Sequence, residues 1–160
     1  AGIAQDGAQA LALWSLRENI SEAQRIEGFS VKHDISVPVG AIPQFLEVAG
    51  ERLEAELPGV RIVAFGHAGD GNLHYNLSFS DASDNARLVA DAQVANAVVY
   101  EAVRALNGSI SAEHGIGQLK RALLGECKSV VEMDMMRAIK RAFDPHALMN
   151  PGKVLPEYGE

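Results

Sequence analysis

Apolar positions recur along the chain with two different periods, and each change of period marks an element. Over residues 8–27, Leu11, Leu13, Trp14, Leu16, Ile20 and Ile26 follow a mostly helical spacing that Gly28 ends. From Phe29 to Val37 the pattern switches. Phe29, Val31, His33, Ile35 and Val37 alternate with Ser30, Lys32, Asp34 and Ser36, which predicts a strand with one buried face. Pro38 and Gly40 stop it. Pro43 suits the first turn of a helix striped by Phe45, Leu46, Val48, Ala49, Leu53 and Leu57 and closed by Pro58-Gly59. Val60–Phe65 predicts a buried strand, GHAGDGN a turn with three glycines, and Leu73, Tyr75, Leu77 and Phe79 an alternating strand. Asp81–Ser83 offers a cap for one long helix from about Asp84 to Leu106, stopped by Asn107-Gly108. Ser109–Ala112 reads as a short fourth strand. Helical patterns return around Leu119–Leu124 and Val130–Phe143, before Asp144-Pro145 and an extended Asn150-Pro151-Gly152-Lys153.

The middle of the chain therefore runs strand, helix, strand, strand, helix, strand. That order predicts an α+β fold of ferredoxin-like, split βαβ type. Its antiparallel sheet carries helices on one face, and further helices flank it at the N- and C-terminal ends. Nothing in residues 1–160 divides the chain, so one domain is expected.

Composition agrees with a packed core. The chain has 160 residues, 48% of them hydrophobic, with a mean hydropathy of zero, which excludes a disordered chain. The single cysteine, Cys127, excludes an intramolecular disulfide framework and a cysteine-rich zinc fold. No apolar run approaches the roughly 18 residues of a membrane span. The opening AGIAQDGAQA lacks the basic stretch and long apolar segment of a signal peptide, so the cytoplasm is the expected compartment. A formal charge of −7 and a pI near 5.2 argue against nucleic acid as a partner.

The candidate chemistry gathers around the glycine turn. His67 and His74 flank it in G-H-A-G-D-G-N-L-H, and a paired hairpin brings both imidazoles to one end of the sheet. Two histidines and a carboxylate make a three-ligand metal site with an open position. Glu113, in S-A-E-H-G-I-G after the fourth strand, is one candidate carboxylate and Asp70 a second. The same glycines also read as plain turn punctuation. His33 and His146 read as ordinary solvated histidines. Arg17 reads as a helix-surface cation near Glu18 and Glu22, and Lys32 points away from the apolar side of its strand, toward solvent or a ligand cleft. Met133, Met135 and Met136 read as core or interface. No Walker lysine, no G-x-G-x-x-G opening a helix, no G-x-S-x-G and no C-x-x-C is present.

Three longer motifs carry a resemblance. G-H-A-G-D-G-N-L-H-Y-N (66–76), S-A-E-H-G-I-G (111–117) and D-P-H-A-L-M-N-P-G-K-V (144–154) occur in the order of the C-terminal domain of FAD-linked oxidases, flavoproteins of the vanillyl-alcohol oxidase superfamily. The similarity runs from about Leu13 to Val154. L-R-E-N-I-S (16–21) and V-K-H-D-I-S-V-P (31–38) most resemble the D-2-hydroxyglutarate dehydrogenase, D-lactate dehydrogenase and glycolate oxidase subunit group. The resemblance implies a divalent metal, zinc above all, on His67, His74 and Glu113, and His114 as the base. It implies a substrate grip by Arg17, Ser21, Lys32 and Asn76, and places Asn150 near the flavin. Serine at 21 stands where the family has threonine.

The same resemblance implies FAD as cofactor, held mainly by a preceding flavin-binding domain that these residues do not include. The expected reaction is oxidation of a small D-2-hydroxy acid, with hydride passing to FAD and on to an electron acceptor that the motifs leave open. A homodimer is the expected assembly, and this domain alone is expected to be inactive. A metal-dependent hydrolase and a non-catalytic small-acid-binding domain are the rival readings.

Overall fold

The strands obey the period-two pattern. In the computed structural model, which describes residues 2–90 and 92–156, β1 (Val31–Ser36), β2 (Arg61–His67) and β3 (Asn72–Ser78) form one antiparallel sheet in the order β1-β3-β2. The register pairs Asp34 with His74 and His74 with Phe65. Alternation then sorts every strand residue onto one of two faces. Val31, His33, Ile35, Leu73, Tyr75 and Leu77 share the face that helices cover, and all are buried.

Two helices cover that face. α3 (Ile42–Glu56) has proline in its first turn and buries Phe45, Ala49 and Leu53, positions four apart on one side. α5 (Gln93–Ala105) buries Ala95, Val98, Val99, Ala102 and Val103 and packs against both α3 and β1. Phe45 meets Tyr75 edge to face with ring centroids 5.1 Å apart, at the centre of the core. The chain is thus mixed α+β, with the sheet and helices in the expected split arrangement.

The structure corrects the expected element boundaries in three places. The N-terminal pattern breaks into α1 (Gly7–Glu18) and α2 (Ile20–Glu27), with Asn19 at φ −85°, ψ 0° capping the end of one and the start of the other. The expected long helix is divided into α4 (Ala82–Ala90) and α5, with Asn85 tying its side chain to both backbone groups of Phe79. The fourth strand shrinks to a single bridge, Ser36 to Ser109, beside β1. Beyond Ile110 the backbone N–H groups of Ala112, Glu113 and His114 bond to the Asp34 carboxylate instead of continuing a ladder. α6 (Arg121–Cys127) and α7 (Val130–Phe143) follow, the latter opened by a Ser129/Glu132 capping box. Among the described residues no helix is long and apolar enough to cross a membrane.

Candidate active site

The opposite face of the sheet, met by α2 and the loop of residues 112–114, carries the chemistry. One residue along from each core position stand Lys32, Asp34 and Ser36 on β1, Asn72, His74 and Asn76 on β3, and Phe65 and His67 on β2. The β2–β3 turn sets the end of this row. Gly71 lies at φ 71°, where a side chain is strained, and a Cβ there would overlap the Val37 carbonyl oxygen. Gly71 in turn accepts the Val37 N–H at 3.0 Å, which seats the turn against the end of β1.

Glu113 arrives from the loop after the Ser109 bridge and joins the two histidines. Its Oε1 lies 3.1 Å from His67 Nδ1 and its Oε2 3.5 Å from His74 Nε2. The Asn72 amide donates to Oε1 in a short contact. His114 brings its ring to 5.7 Å from that of His74. Asp34, His74, Glu113 and His114 each offer one ligand atom, all within 4.8 Å of one another. His67 touches Glu113 from outside that foursome. Asp70, the other candidate carboxylate, is exposed in a short 3₁₀ turn and joins none of these contacts.

This donor set fits a small divalent cation. Imidazole nitrogens and carboxylate oxygens are ligands zinc accepts, and neighbouring ligands of tetrahedral zinc stand about 3.4 Å apart when the bonds are about 2.1 Å. The two Glu113–histidine separations are of that order, each to a different carboxylate oxygen.

Asp34 is the residue that sequence reasoning missed. It is 3% exposed, and its Oδ2 accepts the N–H groups of Ala112, Glu113 and His114 at 3.1, 2.9 and 2.8 Å. Burial, the largest single influence, pushes its pKa up. The His114, Glu113 and Ala112 N–H groups and the nearby His114 together outweigh burial and hold it below the usual carboxylate value. Lys120 Nζ donates to the Asp34 and Ile110 carbonyls, and its burial lowers its own pKa against the pull of Asp34. The available sign was a carboxylate at a polar position of a strand whose alternate residues are all core.

Four of the expected substrate-gripping and base residues meet in one cavity of about 210 Å³. Ser21, Lys32, Asn76 and His114 line it together with Gln24, His33, Phe65 and His74. Lys32 has no ion-pair partner among the described residues, an uncompensated cation in an acidic chain. Arg17 stands outside, its guanidinium 5.5 Å above the centre of the Phe65 ring that walls the cavity. Gln24, which accepts the Asn76 amide N–H at 2.6 Å, escaped the sequence reading although it lies three residues after Ser21 on the same helix.

The remaining expectations fall elsewhere. His33 is buried, not solvated. Its ring lies on the core face, Nδ1 3.0 Å from the Tyr75 carbonyl and Nε2 2.9 Å from the Asn96 side chain, and burial lowers its pKa. His146 is exposed. Met133 is core, whereas Met136 and Asn150 line a separate apolar cavity with Ile139, Phe143 and Met149. The D-P-H motif is a helix-end loop in which Asp144 accepts the N–H groups of Leu148 and Met149.

The family described as FAD linked oxidases, C-terminal domain, matches residues 1–154. The D-2-hydroxyglutarate dehydrogenase of Xanthomonas citri pv. viticola is 44% identical over 153 residues, covering 95% of this chain and 32% of that protein. That of Stutzerimonas stutzeri is also 44% identical over 153 residues, with the same coverage. The mitochondrial D-2-hydroxyglutarate dehydrogenase of Danio rerio is 39% identical over 155 residues, covering 97% of this chain and 28% of that protein. The chain spans about a third of the length of the curated relatives it matches.

Proposed function

The chain belongs to the family of FAD-linked oxidase C-terminal domains, and from that premise we propose that it is the substrate- and metal-binding part of an FAD-dependent D-2-hydroxy acid dehydrogenase. The substrate class is a small acid such as 2-hydroxyglutarate or lactate, and the product is the 2-oxo acid. One observation carries the reading: Lys32, Ser21, Asn76 and His114 share a cavity that the His74–Glu113 pair borders.

Each side chain has a part. Lys32 supplies a point charge and Arg17 a two-pronged fork for carboxylates. Ser21 and Asn76 add neutral hydrogen bonds that orient the acid. His114 accepts the proton of the C2 hydroxyl as general base. His67, His74 and Glu113 would hold the cation, and Asp34 and His114 bring ligand atoms close to those of His74 and Glu113. A bound divalent ion acidifies a coordinated hydroxyl and fixes its geometry. The flavin of the longer protein supplies the two-electron acceptor for the C2 hydride. Asn150 is assigned to the flavin side, with the apolar cavity of α7.

Steady-state kinetics of the full-length protein test these roles. His114→Ala lowers kcat by about 10²–10⁴-fold. Arg17→Ala and Lys32→Ala chiefly raise KM, because a carboxylate grip acts in the ground state as well as the transition state. A charge-assisted contact is worth about 1.5–3 kcal/mol, or roughly one to two factors of ten in affinity. 2-Hydroxyglutarate, with its second carboxylate, loses more than lactate in these two variants. Equal losses for both acids defeat the diacid reading, and a fully active His114→Ala moves the base elsewhere.

A further inference from the structure

A second polar cavity lies on the same sheet face as the substrate cavity, at the end of the strands away from the glycine turn. The residues that follow His74 on this face of β3 are Asn76 and Ser78. Asn76 stands opposite Lys32 on β1 and Val63 on β2, and Ser78 stands opposite Arg61. The cavity holds about 250 Å³ and is bounded by Gln24 and Glu27 of α2 together with Ser30, Arg61, Asn76 and Ser78.

Gln24 and Asn76 line both this cavity and the substrate cavity. Asn76 rises from the sheet and Gln24 reaches it from α2, Asn76 Nδ2 donating to Gln24 Oε1 at 2.6 Å. The contact therefore spans from sheet to helix between the two spaces. The polar groups beyond it are under-used. Ser30 Oγ and Gln24 Nε2 are buried and make no hydrogen bond among the described residues. Arg61 bonds Glu27 through Nη2 at 2.8 Å, and a guanidinium has five N–H donors, so this pair does not exhaust it. Hydroxyl and guanidinium donors together suit a carboxylate.

We propose that Gln24 determines the length of acid the site accepts. Its side chain, braced on Asn76, is a partition that confines the substrate to the first cavity. With that side chain shortened, the two spaces join, and the second becomes a distal subsite for the far carboxylate of a longer 2-hydroxy diacid. The proposal rests on the substrate reading above and deepens it.

The test measures kcat/KM of the full-length protein for three acids. They are D-2-hydroxyglutarate, D-2-hydroxyadipate, one methylene longer, and D-2-hydroxyhexanoate, which has the adipate's length without its second carboxylate. Wild type is compared with Gln24→Ala and Gln24→Met. One methylene too many or too few changes kcat/KM by about 10–200-fold. In Gln24→Ala the adipate-to-glutarate ratio rises by about tenfold or more, and hexanoate gains less than adipate. Alanine has the highest helix propensity, so α2 is kept. Methionine is as long as glutamine but cannot bond Asn76, and Gln24→Met keeps the wild-type ratio. An unchanged ratio in Gln24→Ala, beside a wild type active on 2-hydroxyglutarate, overturns the partition. So does a Gln24→Met that shifts as far as Gln24→Ala, because the hydrogen bond and not the bulk would then be acting. Equal gains for hexanoate and adipate overturn the carboxylate subsite. A wild type inactive on all three acids overturns the substrate reading itself, and the partition falls with it.

Discussion

The two faces of the sheet are built from the same three strands and differ by one residue of register, yet they have opposite chemistry. On the covered face Val31, Ile35, Leu73, Tyr75 and Leu77 are all at most 8% exposed and pack against α3 and α5. On the opposite face, which we call open although α2 and the 112–114 loop meet part of it, Lys32, Asp34, Asn72, His74 and Asn76 occupy the adjacent positions. Two buried oxygens of that face, Asp34 Oδ1 and Asn72 Oδ1, lack hydrogen-bond partners among the described residues. An unsatisfied buried polar group costs about 1–3 kcal/mol. The covered face is not free of this cost either, since the Tyr75 hydroxyl is unpartnered and burial pushes its pKa up to about 12. The comparison teaches that apolar burial on one side lets the other carry polar groups left without partners, at a cost the core offsets.

The largest effect expected is on the covered face. Phe45→Ala should cost about 3–5 kcal/mol in urea unfolding, because it empties a fully buried ring site against Tyr75. Asn76→Ala on the open face removes one hydrogen bond to Gln24 and should cost about 0.5–1.5 kcal/mol. Equal losses would break the comparison.

Zinc should narrow the difference between the faces. At a free concentration of 100 times Kd, binding adds about 2.7 kcal/mol, seen as a rise in Tm that Glu113→Ala lacks. A wild-type Tm indifferent to zinc would remove the metal from the open face.

A smaller effect separates the faces by pH. Burial lowers the pKa of His33 below its ordinary 6.5, so the unfolded chain takes up a proton there before the folded one does. The stabilisation from neutral His33 is complete above about pH 6.5 and is lost as pH falls through the folded value. His33→Gln should flatten that slope in denaturant titrations across mildly acid pH, whatever its own stability. An unchanged slope assigns it to another group.

The smallest effect lies outside both faces, at the Arg52–Glu101 ion pair that bridges α3 and α5 at 2.7 Å. Both side chains are close to half exposed, so Arg52→Ala should cost only about 0.2–1 kcal/mol. A loss near that of Phe45→Ala would mean that charge, not apolar packing, holds the helices together.

Much of the fold was legible in single positions. The alternation from Phe29 to Val37 located β1 and put Lys32 opposite the core, and the glycines of 66–71 located the β2–β3 turn. Proline and the apolar stripe located α3. The same alternation had already placed His33 between Val31 and Ile35 on the buried face, and reading it as a solvated histidine set residue type above position. The break at Asn19 and the split of the helix between β3 and the Ser109 bridge carried no comparable mark.

The sequence by itself determined which residues share a sheet face and where the chain turns, because side-chain period and the left-handed backbone of Gly71 are properties of neighbouring residues. It also carried the motifs that place the chain in its family. Only the tertiary structure decided that Asp34 holds the Glu113 loop and that the fourth strand stops at Ser109. The bonds responsible join residues 78 to 80 positions apart. No local pattern specifies such a contact, since it forms only after β1 and the segment beyond α5 have been packed side by side.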